Sequence, residues 1–183
     1  MCIILDIYVA GFETVNGWKV AKYWKNGEGV SLSDGTQNAE ALGIAVVGGK
    51  VHVTGWKNKS AGSMAMHWVD GIATTLGADN KLSMARAIAT QNSDIFIVGG
   101  EADVDLPKAI YWKNGNAVAL TDGNQTAEAT AITVSNGNFY AAGYEAIESK
   151  NTAKYWKNGT AVTLTDEDGN GVTATGIAVS RTK

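Results

Sequence analysis

The chain has one proline, one cysteine and two histidines among 183 residues, and only 18% of it is charged. A single cysteine, Cys2, excludes an internal disulfide framework and any cysteine-rich zinc site. With 45% hydrophobic residues, 22 Gly and one Pro, the composition excludes a disordered chain, a collagen and a coiled coil. The longest apolar run is about five residues at the N-terminus, far short of a membrane span or a signal h-region. A net charge of −3 and a pI near 5.3 provide no basic surface for phosphates, so nucleic acid is not an expected partner. At 19.2 kDa the chain is expected to form one well-buried domain over residues 1–183. As written it carries no export signal and is expected in the cytoplasm. A lipid anchor on Cys2 would require a removed leader, and Met1 stands directly before it.

An internal repeat organises what is present. Tyr23-Trp24-Lys25-Asn26-Gly27 returns as His67-Trp68-Val69-Asp70-Gly71, as Tyr111-Trp112-Lys113-Asn114-Gly115 and as Tyr155-Trp156-Lys157-Asn158-Gly159, so that the four tryptophans stand 44 residues apart. Gly11, Gly55, Gly99 and Gly143 keep the same period. The copies run over approximately 6–49, 50–93, 94–137 and 138–183.

Within a copy the apolar residues alternate with a period of two. Ala109–Trp112, the pair Asn114-Gly115 and Ala117–Leu120 read as two strands about a type I′ turn, which requires positive φ at both central residues. Ala131–Val134, Asn136-Gly137 and Phe139–Gly143 read as a second hairpin. Four strands in 44 residues, with no helical segment, has the length and content of a β-propeller blade. The chain then starts on a second strand and ends on a first strand. The expectation is an all-β propeller of four-stranded antiparallel blades, four per chain, with N- and C-terminal strands completing one blade. The ring is expected to close in a monomer, or in a dimer that completes a larger ring.

The phrases AKYWKNGTAVTLTD and FYAAGYE resemble the repeats of bacterial β-propeller proteins, many of them secreted or lipid-anchored. That resemblance covers essentially the whole chain and implies a propeller with secreted or cell-surface relatives. It implies no catalytic residues, and the Gly-His and Trp-Asp signature of WD repeats is missing.

Residues repeated in every copy are expected to build the scaffold. Trp24, Trp68, Trp112 and Trp156 are expected to pack blade on blade, with Tyr23, Tyr111 and Tyr155 on the other face of each sheet. The repeated glycines are expected to allow a bend or a close backbone approach. Sites are expected in the longer connections, at 12–20, 56–64, 100–108 and 144–152 and at 34–40, 78–84, 122–128 and 166–173. Fourteen of the 18 Asp and Glu fall there against six of the 15 Lys and Arg, which predicts an acidic face that attracts cations or basic groups.

Departures from the repeat and the long connections 56–64 and 100–108 supply the candidate ligand-binding residues Trp56, Arg86, Glu101, Asp103 and Asp105. Arg86 stands where other copies have Leu42, Thr130 and Thr175, and near a propeller axis it must reach solvent or find a carboxylate or anion. Asp166-Glu167-Asp168-Gly169-Asn170-Gly171 matches the first half of a calcium loop, making Asp166, Asp168 and Asn170 candidate calcium ligands. The twelfth position of that loop holds Ile177 instead of the bidentate Glu. His67 replaces the repeated Tyr, and Met64, Met66 and Met84 gather in the same copy. His52 and His67 are not spaced as a metal pair, and a site built on them would need a carboxylate brought in by the fold.

No catalytic motif is present, and no cofactor other than calcium is indicated. The expected function is a non-enzymatic binding or interaction scaffold that takes a glycan, a peptide or protein, or a cationic group on its long-loop face. Two alternatives stand beside it: a carbohydrate-active enzyme using loop carboxylates such as Asp103, Asp105 or Asp168, and a recently amplified structural repeat without a ligand.

Overall fold

The computed structural model describes residues 5–60, 62–78, 81–102, 106–164 and 171–181. Every regular element among them is a β-strand. The first sheet holds β1 (Tyr8–Val15), β2 (Trp18–Lys25) and β3 (Glu28–Ser31). The second holds β4 (Ala39–Val47), β5 (Lys50–Lys59), β6 (Gly62–Val69) and β7 (Ile72–Thr75). The third holds β8 (Leu82–Gln91), β9 (Asp94–Ala102), β10 (Lys108–Lys113) and β11 (Asn116–Ala119). The fourth holds β12 (Ala127–Ser135), β13 (Asn138–Ile147), β14 (Lys150–Lys157) and β15 (Thr160–Thr163). Strands pair antiparallel with their neighbours in chain order, as short turns between alternating segments dictate.

The repeated Asn-Gly does two jobs. Asn26, Asp70, Asn114 and Asn158 adopt φ near +50°, and the glycine after each is also in the left-handed region, as the tight hairpin demands. Each side chain also reaches back to the start of the preceding strand, accepting a hydrogen bond from the backbone N–H of Ile7, Val51, Ile95 or Phe139 at 2.9–3.0 Å. The turn is thereby tied to its own sheet.

The repeated glycines face a β-bulge. Pairing of β4 with β5, β8 with β9 and β12 with β13 shifts register around Leu42, Arg86 and Thr130. The bulge drives the carbonyls of Glu40, Met84 and Glu128 so close to Gly55, Gly99 and Gly143 that a Cβ there would overlap them. The expected close backbone approach is therefore present, in mid-strand, and the bulge re-aims the extra side chain away from the ladder.

Successive sheets pack in chain order through the tryptophans. Trp68, Trp112 and Trp156 are at most 1% exposed. Trp68 packs with Ala21 and Leu32 of the preceding repeat, and Trp156 with Ala109 and Leu120. Trp112 donates from Nε1 to the Leu76 carbonyl at 3.0 Å. Burying such a ring removes about 150–250 Å² from water, roughly 4–6 kcal/mol of transfer free energy at about 25 cal/mol/Å². Trp24 departs from the expectation by being only half-buried, because no sheet precedes the first among the described residues. Tyr111 lies on the other face, 4.6 Å from the Phe139 ring.

Among the described residues the first sheet has three strands, and residues 171–181 are extended without being part of a sheet. They lie against the fourth sheet. The Val172 N–H donates to the Asn151 carbonyl at 2.7 Å, repeating one copy later the bond from Ala127 to the Pro107 carbonyl, also 2.7 Å. Thr130 Oγ1 donates to the Ala174 carbonyl at 2.6 Å. The segment thus occupies the place on the fourth sheet that β12 occupies on the third. That is where the first strand of a following sheet would stand, although no ladder joins it to β1 among the described residues.

Candidate functional site

A pocket of about 250 Å³ opens at the long-connection end of the third sheet. Ser63, Ser83, Arg86, Gly100, Glu101 and Glu128 are among its walls. Arg86 is the bulge residue of β8, so its side chain leaves the ladder and crosses to the fourth sheet. There its Nε donates to Glu128 Oε1 at 2.7 Å and its Nη2 to Oε2 at 3.3 Å, the forked geometry that guanidinium and carboxylate favour. Of the two outcomes expected for this arginine, the carboxylate is realised.

Glu101 is the buried acid of the pocket, its side chain 8% exposed, and Lys81 meets it at 3.0 Å. The repeat explains the unusual partner. In the first and fourth copies the equivalent acids Glu13 and Glu145 pair with Lys22 and Lys154 on the adjoining strand. In the third copy Ile110 stands at that lysine position, so Glu101 is met from the connection before β8 instead. Tyr144 lies near this charge cluster, and its hydroxyl is held above the ordinary phenol range by burial, then by Glu128, with Arg86 opposing.

The pocket exists because a bulky residue is missing. Gly100 occupies the position that holds Phe12, Trp56 and Tyr144 in the other copies. A Cβ on Gly100 would meet Glu128 Cγ at 3.5 Å, so a larger side chain would cover the Arg86–Glu128 pair.

Of the five expected ligand-binding residues, the fold brings Arg86 and Glu101 together. Trp56 lies on β5 opposite Glu40 and does not line the pocket. Asp103 and Asp105 lie outside the described residues, as do the candidate calcium ligands Asp166, Asp168 and Asn170. Among the described residues no group of three or more His, Cys, Asp or Glu is placed to hold a metal, and no helix is long and apolar enough to cross a membrane. The charge count by segment also missed three cations, Lys22, Arg86 and Lys154. Lys22 and Lys154, on strands, reach Glu13 and Glu145, while Lys19, Lys57 and Arg86 meet Glu40, Asp34 and Glu128. Many of the acids on this face are neutralised in place.

A second pocket, of about 360 Å³, lies between the second and third sheets beside the turn at Asn114 and Gly115. His52 and His67 line it, with Thr74, Thr75 and Ile95. The histidine spacing read as unproductive in the sequence becomes a contact. His67 pairs with Thr54 across β5 and β6, which puts it diagonal to His52 on the same sheet face. His52 Nδ1 lies 3.1 Å from His67 Nε2, and the rings are stacked with centroids 5.2 Å apart. Burial, then the neighbouring His52, pushes the His67 imidazole down to about 4. Burial also lowers His52, where Asp70 and Lys50 act in opposite directions. Both rings are neutral at pH 7. The signal was available in the repeat: the equivalent positions are aromatic in every other copy, as Tyr8 and Tyr23, Phe96 and Tyr111, Tyr140 and Tyr155.

These features define an all-β protein of antiparallel sheets, and the two pockets described sit where single copies depart from the 44-residue pattern. No protein-family model matches the chain, and no curated protein matches it.

Proposed function

We propose that the chain is a non-enzymatic binding scaffold of the β-propeller type, and that the pocket around Arg86, Glu101 and Glu128 holds a small neutral polyhydroxyl group such as a terminal sugar. The observation that carries this reading is the Arg86–Glu128 fork beside the Lys81–Glu101 pair in a pocket opened by Gly100. Two internally balanced ion pairs leave little net charge to attract an ion. They do present fixed acceptors and donors side by side, which suits hydroxyls that both give and take hydrogen bonds. At about 250 Å³ the pocket is below the roughly 300–1,000 Å³ of drug-sized sites, which favours one sugar ring over a peptide.

The propeller reading rests on four sheets that follow one another in chain order and pack each on the next. Completing a ring places 171–181 along the open edge of β1, within one chain or from a second copy. Light scattering separates these, with a mass near 19 kDa or near twice that.

The binding claim is tested by calorimetry against a panel of neutral monosaccharides and disaccharides, with a lysine-rich peptide as control. Binding of a sugar that is lost in Arg86→Thr and in Glu101→Gln supports the reading. Binding of the peptide alone, or sugar binding that survives both substitutions, contradicts it.

A further inference from the structure

The second pocket carries an inference independent of the sugar site. The two histidines in the chain stand together at positions that are aromatic in all other copies, and they touch. Drift at scattered positions has no reason to place the same residue at both members of one contacting pair. The space around them is equally particular. At the boundary between the third and fourth sheets, Phe139 packs on Phe96 and Tyr111. At the boundary between the second and third, the equivalent of Phe139 is Ile95, and both partners are imidazoles. Two imidazoles in place of larger rings, with the aliphatic Ile95 beside them, leave the cavity of about 360 Å³ directly against the two rings.

We infer that His52 and His67 form a two-imidazole chelate for a late first-row divalent metal ion, Cu²⁺ most tightly. Nitrogens 3.1 Å apart, each about 2.0–2.1 Å from a common ion, subtend roughly 100° at the metal, between the tetrahedral and square-planar values. The ligating atoms are His52 Nδ1 and His67 Nε2. In the metal-free pair one of these carries the proton of the shared hydrogen bond. On binding, that proton shifts to the other nitrogen of the same ring, so both imidazoles stay neutral and no proton is released. The remaining positions fall to water, with Thr74 opposite His67 on the same sheet face, because no third His, Cys, Asp or Glu joins the pair among the described residues. A site with two protein ligands and open positions is not a closed structural zinc site. Its ion preference follows the general order in which Cu²⁺ exceeds Ni²⁺ and Zn²⁺.

The test uses untagged full-length chain, with Cys2→Ser as a control that removes the thiol. Calorimetric titration with Cu²⁺ in the presence of a weak competing chelator is expected to give one ion per chain. Electron paramagnetic resonance is expected to report two imidazole nitrogens. The double variant His52→Phe/His67→Tyr carries the aromatic pair of the third copy and should fold. It is expected to lose more than about a hundredfold in affinity, since outer-shell partners alone are worth about 10–100-fold. As a second readout, Zn²⁺ is expected to shift the imidazole nitrogen resonances of both histidines in the unmodified chain. Equal copper affinity in the double variant, or zinc that moves neither imidazole, overturns the assignment.

Discussion

Two of the three boundaries between successive sheets are built from the same repeat and end up unlike each other. Between the third and fourth sheets, Phe96, Tyr111 and Phe139 lie ring against ring, with centroids 4.6–5.7 Å apart. Between the second and third, His52, His67 and Ile95 hold the equivalent positions and a cavity remains. The backbone is common to both, since the hairpins, bulges and tryptophan contacts repeat. At the two histidine positions the repeat supplies aromatic rings in every other copy, while Ile95 keeps the aliphatic residue of Ile7 and Val51 and Phe139 is the exception. The site is made by replacing two rings with smaller polar ones. Gly100 does the same at the other pocket, where three other copies place an aromatic ring.

The sharpest break in this comparison concerns the backbone itself. Gly99→Val is expected to cost about 4 kcal/mol or more in urea unfolding, because its Cβ overlaps the Met84 carbonyl in the bulge and the ladder must separate. Gly11→Val should cost only about 1–2 kcal/mol. Its Cβ meets the Trp24 ring at 3.1 Å, and a half-buried side chain can give way. Equal losses would mean that the bulges do not set the glycine requirement.

Next come the two boundary positions. Phe139→Ala removes a buried ring that fills the third boundary and is expected to cost about 3–4 kcal/mol. Ile95→Ala, at the position already bordering a cavity, should cost about 2 kcal/mol. The reverse change sharpens the same point. Combining Ile95→Phe with His52→Phe and His67→Tyr imports the filled boundary into the open one, and a gain of about 1 kcal/mol is expected from the cavity that closes. A loss would show that the sheets are spaced differently at the two boundaries.

The gentlest effect is a pH dependence confined to the open boundary. With chelator present, the His67 imidazole titrates near 4 in the folded chain and near 6.5 when unfolded. Between those values the unfolded chain binds more protons, so stability is complete above about pH 6.5 and is lost as the pH falls toward 4. His67→Tyr should flatten that part of a chemical-denaturation profile. An unchanged slope would show that His67 is solvated.

Much of the fold was legible. The Asn-Gly pairs announced both the turns and, through their offset from the tryptophans, the strands on either side. The repeated glycines announced a close approach, although only the paired backbone reveals that a bulge causes it. Residues 171–181 were legible as an inner segment and stand beside the fourth sheet as β12 stands beside the third, but alternation is silent about whether such a segment closes a ladder with β1. Arg86 and Glu101 were found because each departs from, or falls in, a loop-bearing part of the repeat. The histidine pair was missed because its members are 15 residues apart on different strands. Only the antiparallel register, with Thr54 opposite His67, brings them together. Lys22 and Lys154 were missed for the same reason: a count by segment cannot see side chains arriving from the next strand.

Departures from the repeat, not the repeated residues, make the two sites. The most direct test of this is a nitrogen–proton NMR titration with the sugar that calorimetry selects, run on the chain and on Arg86→Thr/Gly100→Tyr, which restores the residues of the fourth copy. Arg86→Thr alone serves as the control for folding. Shifts are expected to cluster on Gly100, Glu101 and Glu128 in the unmodified chain, with none in the restored chain. Shifts that persist after restoration, or that cluster on the repeated tryptophans, would contradict it.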